Sequence, residues 1–292
     1  MPNRTSLISV LMSLSLWSVA SPANSQALIP YTLQLNPEQL EQTGLGLIEE
    51  AAQLTRFQQY QLALPRAELA TQLAPKSYQT WALLGSLYIQ VERIDEGIAA
   101  LQQAQTLDPE NAPVRFVLGE AYFRQGDYQK AVDQIEAGLK VRSDVPGALF
   151  DLGNAYYRLG RYQEAIAQYE KAFAQEKNLW PAINNVGLVR YEMGDVKGAI
   201  EKWQQAISID EKAAEPLLAM AVAMYTQGKQ QEGLAMGQTA LQLDVRYAEL
   251  EFLKENLWGD RLLNDTQKFL GTPQMQKTIA QLKDSPTSVP PQ

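Results

Sequence analysis

One period governs this chain, and it is 34 residues long. Gly126, Gly160, Gly194 and Gly228 stand 34 apart, and so do Gly85, Gly119, Gly153 and Gly187, with Ala221 next in line. Asp108, Asp210 and Asp244 close Leu-Asp or Ile-Asp runs and are separated by multiples of the same number. A fixed period of this size marks a stack of identical supersecondary units rather than a conventional single core. Setting the glycines in register starts six copies, at Gly44, Tyr78, Ala112, Pro146, Trp180 and Ala214, which together span residues 44–247. Each copy reads as two helices. The glycines at 126, 160, 194 and 228 are free to take positive φ and end the first helix. Asp127 and Asp195 follow at once as caps for the second. Small residues of the Gly85 and Ala165 kind let the two helices of a copy approach closely, and large ones (Trp81, Tyr88, Tyr122, Tyr156, Trp203) fill the layers. A single pair cannot bury its apolar face, so stacking has to create the core.

The residues in this register resemble the tetratricopeptide repeat, whose pattern runs W-x2-L-G-x2-Y, then A-x3-F, then A and P. The second copy carries Trp81, Leu84, Gly85, Tyr88, Ala104 and Pro109, and the fourth carries Leu152, Gly153, Tyr156, Ala165, Tyr169 and Ala172. The third has Leu118, Gly119, Tyr122, Ala131 and Ile135. The fifth has Gly187, Ala199, Trp203 and Ala206, with Arg190 where the pattern has Tyr. The first copy keeps only Ala63, Ala70 and Pro75, and the sixth shows Gly233 and Gly237 in its second helix. The resemblance implies an all-α fold: a right-handed superhelical solenoid of six antiparallel helix pairs with capping helices at its carboxy-terminal end.

It also implies that the first helix of each pair lines a concave face, with repeat positions 5, 9, 12 and 13 turned into a groove. Those positions are Phe116, Glu120, Phe123 and Arg124 in copy three, and Phe150, Asn154, Tyr157 and Arg158 in copy four. In copy five they include Asn184, beside Asn185, and Tyr191, and in copy six Tyr225. Position 12 then forms an aromatic ladder, Phe123, Tyr157, Tyr191 and Tyr225, following Ile89. Tyrosine suits an interface because it brings large area and a polar tip at little entropic cost. Asparagine offers a donor and an acceptor to a peptide backbone, and arginine a bidentate grip on carboxylates. Packing within the solenoid competes with binding for the two Phe residues, and intramolecular pairing competes for the two Arg residues.

The chain has no histidine and no cysteine. No imidazole base, thiolate nucleophile, disulfide or His/Cys metal site is available, and no catalytic, cofactor or metal residue is expected. A formal net charge of −8 with no Lys/Arg-rich block argues against a nucleic-acid partner. Residues 1–25 pair Arg4 with an uncharged apolar run, Leu7 to Ala20, ahead of Ser21-Pro22-Ala23 and Ala23-Asn24-Ser25. This is the layout of an export signal, cleaved or retained as an anchor through which the protein associates with a membrane. Residues 26–43 are a lead-in with a helix start at Asn36-Pro37, 248–283 read as capping helices, and the Pro/Ser-rich 284–292 as a disordered tail.

These features predict a protein that holds a partner protein, as an extended segment or a helix, in its groove. The stretch Lys254 to Leu263 and the overall plan are similar to tetratricopeptide proteins of oxygenic phototrophs, including partners of the light-dependent protochlorophyllide oxidoreductase. That similarity implies a role in pigment supply or photosystem biogenesis, at a thylakoid or other membrane. An envelope adaptor or a self-associating module fits the same residues.

Overall fold

The computed structural model describes residues 36–284. Every helix below belongs to one compact unit that begins at Pro37. The expected export signal at 1–25 lies outside the described residues, as does the tail beyond Asp284.

Among the described residues, twelve helices make six pairs. They are α1 (Pro37–Arg56) with α2 (Tyr60–Leu73), α3 (Tyr78–Gln90) with α4 (Ile94–Leu107), and α5 (Ala112–Gln125) with α6 (Tyr128–Val141). They continue with α7 (Pro146–Arg158) and α8 (Tyr162–Gln175), α9 (Trp180–Glu192) and α10 (Val196–Ile209), and α11 (Ala214–Thr226) and α12 (Gln230–Leu243). Each helix packs on the one before and the one after it, and the first helices α1/α3, α3/α5, α5/α7 and α9/α11 also touch, which is the contact pattern of a solenoid. A 3-10 turn (Val245–Ala248) then leads into α13 (Leu250–Glu255), α14 (Asp260–Leu270) and α15 (Pro273–Lys283).

The turn inside each pair has the same backbone in all six copies. Residues 58, 92, 126, 160, 194 and 228, spaced by 34, all take positive φ. Four of them are glycine; copies one and two make the same turn with Gln58 (φ 58°) and Glu92 (φ 61°). Asp127 then accepts the Lys130 amide at 3.2 Å and Asp195 the Gly198 amide at 2.9 Å, capping α6 and α10.

Close approach within each pair sets the second glycine series. A Cβ on Gly85, Gly119, Gly153 or Gly187 would stand 2.4 to 2.5 Å from Leu101, Ile135, Tyr169 or Trp203. That is the same position of each copy's second helix, filled by aliphatic side chains in copies two and three and by aromatic ones in copies four and five. Copies two to four are also stitched to the copy before by one tyrosine. Tyr88 donates to Glu68 at 3.0 Å, Tyr122 accepts from Gln102 at 2.8 Å, and Tyr156 donates to Glu136. Copy five has Arg190 there, which turns instead to Asp195 at 3.0 Å.

Copy six inverts the pattern. Ala221 occupies the glycine position, and Gly237 stands where its neighbours have a large residue. The space over Gly237 is filled from outside the repeat by Phe269 of α14, 2.5 Å from a Cβ placed there. The carboxy-terminal helices therefore do more than close the end of the stack. The last, α15, packs on α12, whereas α14 lies along α9 and α11, the inner helices of copies five and six. Among the described residues no helix is long and apolar enough to cross a membrane.

Candidate partner-binding groove

The concave face is built from α1, α3, α5, α7, α9 and α11, and its surroundings change along its length. On α3, α5 and α7 the residues at repeat positions 2, 6, 9 and 13 meet solvent, wholly or in part. On α9 every residue from Ala182 to Val189 is buried, and from Ala213 to Ala223 all of α11 is buried as well. The cover is the chain's own α13–α14 segment.

Four contacts fix that cover. Trp258, 2% exposed, donates its indole N–H to Glu215 of α11 at 2.9 Å. Glu192, the last residue of α9, accepts the backbone amides of Arg261 and Leu262 at 3.1 and 3.0 Å, satisfying two orphan donors at the start of α14. Gly259 makes this possible, because a Cβ there would fall 2.3 Å from the Glu192 carboxyl carbon. Tyr191 donates to Asp265 at 2.8 Å, and the Arg261 guanidinium lies over its ring at 5.2 Å. At the boundary of the covered half, Arg158 donates to the Lys254 carbonyl at 3.0 Å. The Glu215 carboxyl, removed from water, is pushed up to about 7 by burial, opposed in part by its hydrogen bonds from Trp258 and Asn184.

This placement corrects several of the residues expected in the groove. Tyr191 and Asn184 are 1% and 0% exposed, and Tyr157 is 8% exposed. Asn185 is buried too, and Tyr225 packs edge-on against Phe269 of α14 at 5.4 Å between centroids. Four of these five side chains are buried, and Tyr225 is half-buried against α14. The asparagines serve the interior. Tyr169 and Asn185 both donate to the Asn154 side-chain oxygen, at 2.7 and 3.1 Å, and Asn184 donates to Asn185 at 3.2 Å.

The register of the expected face is also rotated. Positions 5 and 12 point toward the second helix of their own copy. Phe116 fills the notch over Gly138, Phe150 tilts against Tyr169, and Phe123 and Tyr157 meet Tyr128 and Tyr162, the first residues of α6 and α8. The Tyr157 hydroxyl is buried with no hydrogen-bond partner among the described residues. Of the expected set, Glu120, Arg124 and Arg158 remain on the open face, with Asn154 half-buried at its floor. Arg124 is held by Glu120 at 3.2 Å, Glu92 at 3.6 Å and the Ile89 carbonyl at 3.3 Å.

The open face is carried instead by position 6, a column the pattern of large aromatics had hidden. It reads Glu49, Leu83, Val117 and Asp151 on α1, α3, α5 and α7. Leu83 and Val117, with Ala82, Ser86 and Pro113, line a cleft of about 380 Å³ between α3 and α5. Asp151 is exposed to solvent, yet its carboxyl is crowded by the surrounding protein. That crowding, with the nearby Glu120 charge, pushes its carboxyl up to about 7.

Comparison with known proteins agrees with this fold. A sequence profile described as a tetratricopeptide repeat matches residues 82–143 and 116–178, and a second, described as a TPR repeat, matches 187–228. Superkiller protein 3 of Schizosaccharomyces pombe is 28% identical over 101 residues, 35% of this chain and 7% of that protein. The peroxisomal targeting signal receptor of Komagataella phaffii is 30% identical over 99 residues, 34% of this chain and 16% of the receptor. The chain thus spans less than a fifth of either relative. Among solved structures, PilF of Pseudomonas aeruginosa superposes with a TM-score of 0.61 at 14% identity, covering 75% of this chain and 99% of that one. MamA gives 0.52 at 24%, covering 56% and 96%. YrrB, a TPR protein with an unusual peptide-binding site, gives 0.51 at 17%, covering 65% and 97%. The chain carries tetratricopeptide repeats, and its fold is their solenoid.

Proposed function

We propose that this tetratricopeptide-repeat chain is a non-catalytic scaffold that holds a segment of a partner protein in the half of its groove formed by copies one to four. One observation carries the reading: the inner helices α3, α5 and α7 present a solvent-facing apolar and charged surface, while the equivalent surface of α9 and α11 is already occupied. A surface that the fold fills for itself at one end and leaves open at the other is a surface shaped for a polypeptide. The peptide-binding and receptor descriptions of YrrB and of the peroxisomal receptor support the same use of the repeat.

A photo-crosslinking residue at Ser86, in the open cleft, tests this, with the same residue at the exposed Gln175 of α8 as control. The groove position is expected to capture a discrete partner that the control does not. Identical capture profiles from both positions would rule out the groove.

We further propose that the chain is exported or held at a membrane, in a periplasm, a thylakoid lumen or at a membrane surface. There its partner belongs to pigment synthesis or photosystem assembly. The layout of residues 1–25 supports the first part, and the similarity of Lys254–Leu263 to the caps of phototroph tetratricopeptide proteins supports the second. Intact mass of the mature protein tests cleavage after Ala23 or Ser25. A pull-down from photosynthetic membranes that returns no pigment-synthesis or photosystem protein would sink the second.

A further inference from the structure

We propose that the open groove takes an extended basic–apolar–basic segment of a partner protein, its apolar residue in the cleft between α3 and α5 and a Lys or Arg four residues away on each side, facing Glu49 and Asp151. This deepens the groove reading above and rests on it.

The chemistry comes from the position-6 column. Its two middle members, Leu83 and Val117, are apolar and flank a cleft with room for one large aliphatic or aromatic side chain. Its outer members are carboxylates. Glu49 and Asp151 are both exposed, and neither holds a hydrogen bond or an ion pair among the described residues. The neighbouring acids are already engaged, since Glu92 and Glu120 both pair with Arg124. The two unpaired carboxylates therefore stand at the ends of an apolar stretch, each able to accept a cation from outside the described chain. A cation arriving at Asp151 also favours the ionised carboxylate against the crowding and the Glu120 charge that now oppose it. The formal net charge of −8 draws a basic segment toward the protein from a distance.

Spacing sets the form of the ligand. Packed helix axes lie roughly 8–10 Å apart, so the cleft centre is about 12–15 Å from each outer carboxylate across one and a half helix spacings. An extended chain rises about 3.3 Å per residue and returns its side chains to the same face every second residue. Residues four apart then share a face at about 13 Å. A helix would place the same residues only about 6 Å apart, too close to reach from the cleft to either acid.

Selection from a displayed library of random dodecapeptides tests this, run on the wild-type protein, on a Glu49→Gln/Asp151→Asn variant and on Val117→Asp. Helical circular dichroism and cooperative melting verify that each variant is folded. Peptides enriched on wild type are expected to carry Leu, Ile, Phe or Trp with Lys or Arg four residues to either side. A selected peptide is expected to bind the carboxamide variant roughly tenfold more weakly, as the loss of two partly exposed ion pairs predicts. Enrichment that requires Val117 but shows acidic residues, or no charge preference, overturns the inference and leaves the groove reading standing. Peptides that bind wild type and Val117→Asp alike, or no enrichment at all, overturn both.

Discussion

Helices α7 and α11 hold the same place in their repeats and end in different surroundings. Helix α7 keeps Gly147, Asp151 and Arg158 in contact with solvent along its inner face. Helix α11 runs Pro-Leu-Leu-Ala-Met-Ala-Val-Ala-Met without a polar side chain and is buried along almost all of that run. A helix apolar on every side has to be covered on every side. The chain supplies the cover from its own last helices, and the two halves of one continuous surface part company. One half is interior in all but topology; the other stays open to solvent.

The largest expected effect comes from removing the pin of the cover. Trp258→Ala empties a buried site and deprives buried Glu215 of its indole donor, and it is expected to cost about 3–5 kcal/mol by urea unfolding. Hydrogen exchange should quicken in α9, α11 and α14 while α3 and α5 keep their protection. Uniform acceleration across both halves would erase the contrast between them.

Glu215 gives the covered half a pH response of its own. Its carboxyl sits at about 7 in the folded chain against an ordinary 4.5. The native state therefore holds an extra proton between those values. The stability this group contributes is full below about 4.5, falls as pH rises toward 7 and is flat beyond, a loss on the order of 3 kcal/mol. Glu215→Gln keeps the acceptor for Trp258 and is expected to reduce the slope of urea midpoints from pH 5 to pH 8, the remainder coming from Asp151, whose carboxyl also sits at about 7.

Two tyrosines separate the halves on a smaller scale. Tyr191→Phe removes a hydroxyl bonded to Asp265, and about 1–2 kcal/mol should be lost. Tyr157→Phe removes a buried hydroxyl that has no partner among the described residues, and stability should hold or rise by up to about 1 kcal/mol. Equal losses at both sites would mean that the Tyr157 hydroxyl is satisfied in solution.

The smallest effect lies in the turns. Glu92 makes with a side chain the positive-φ turn that four later copies make with glycine. Glu92→Gly is expected to gain about 0.5–1 kcal/mol in thermal melts, net of the salt bridge to Arg124.

The stack itself was legible in the sequence because glycine leaves a periodic trace. Only glycine fits under Leu101, Ile135, Tyr169 and Trp203, and it takes positive φ without strain at 126, 160, 194 and 228. The groove was read less well. Large aromatics drew attention to positions 5 and 12, but they are large because they fill the space between the two helices of a copy. The open face is marked by ordinary residues, Leu83, Val117 and Asp151, whose role shows only when their neighbours in space are known. The fate of Tyr191 depended on α14, about seventy residues downstream, and no local pattern in copy five announces it. One signal was available: the unbroken apolar run of α11 already required a cover that five preceding copies had no means to provide.

Phe269 settles how this array can change in length. It occupies, from beyond the last repeat, the seat over Gly237 that each earlier copy from two to five fills for itself. A further unit appended after Leu243 would separate that ring from its seat and leave a hole. A unit spliced between Val141 and Pro146 meets ordinary neighbours on both sides. The fold therefore has a fixed terminus and an extensible middle, so that the array lengthens by internal duplication, one rung at a time.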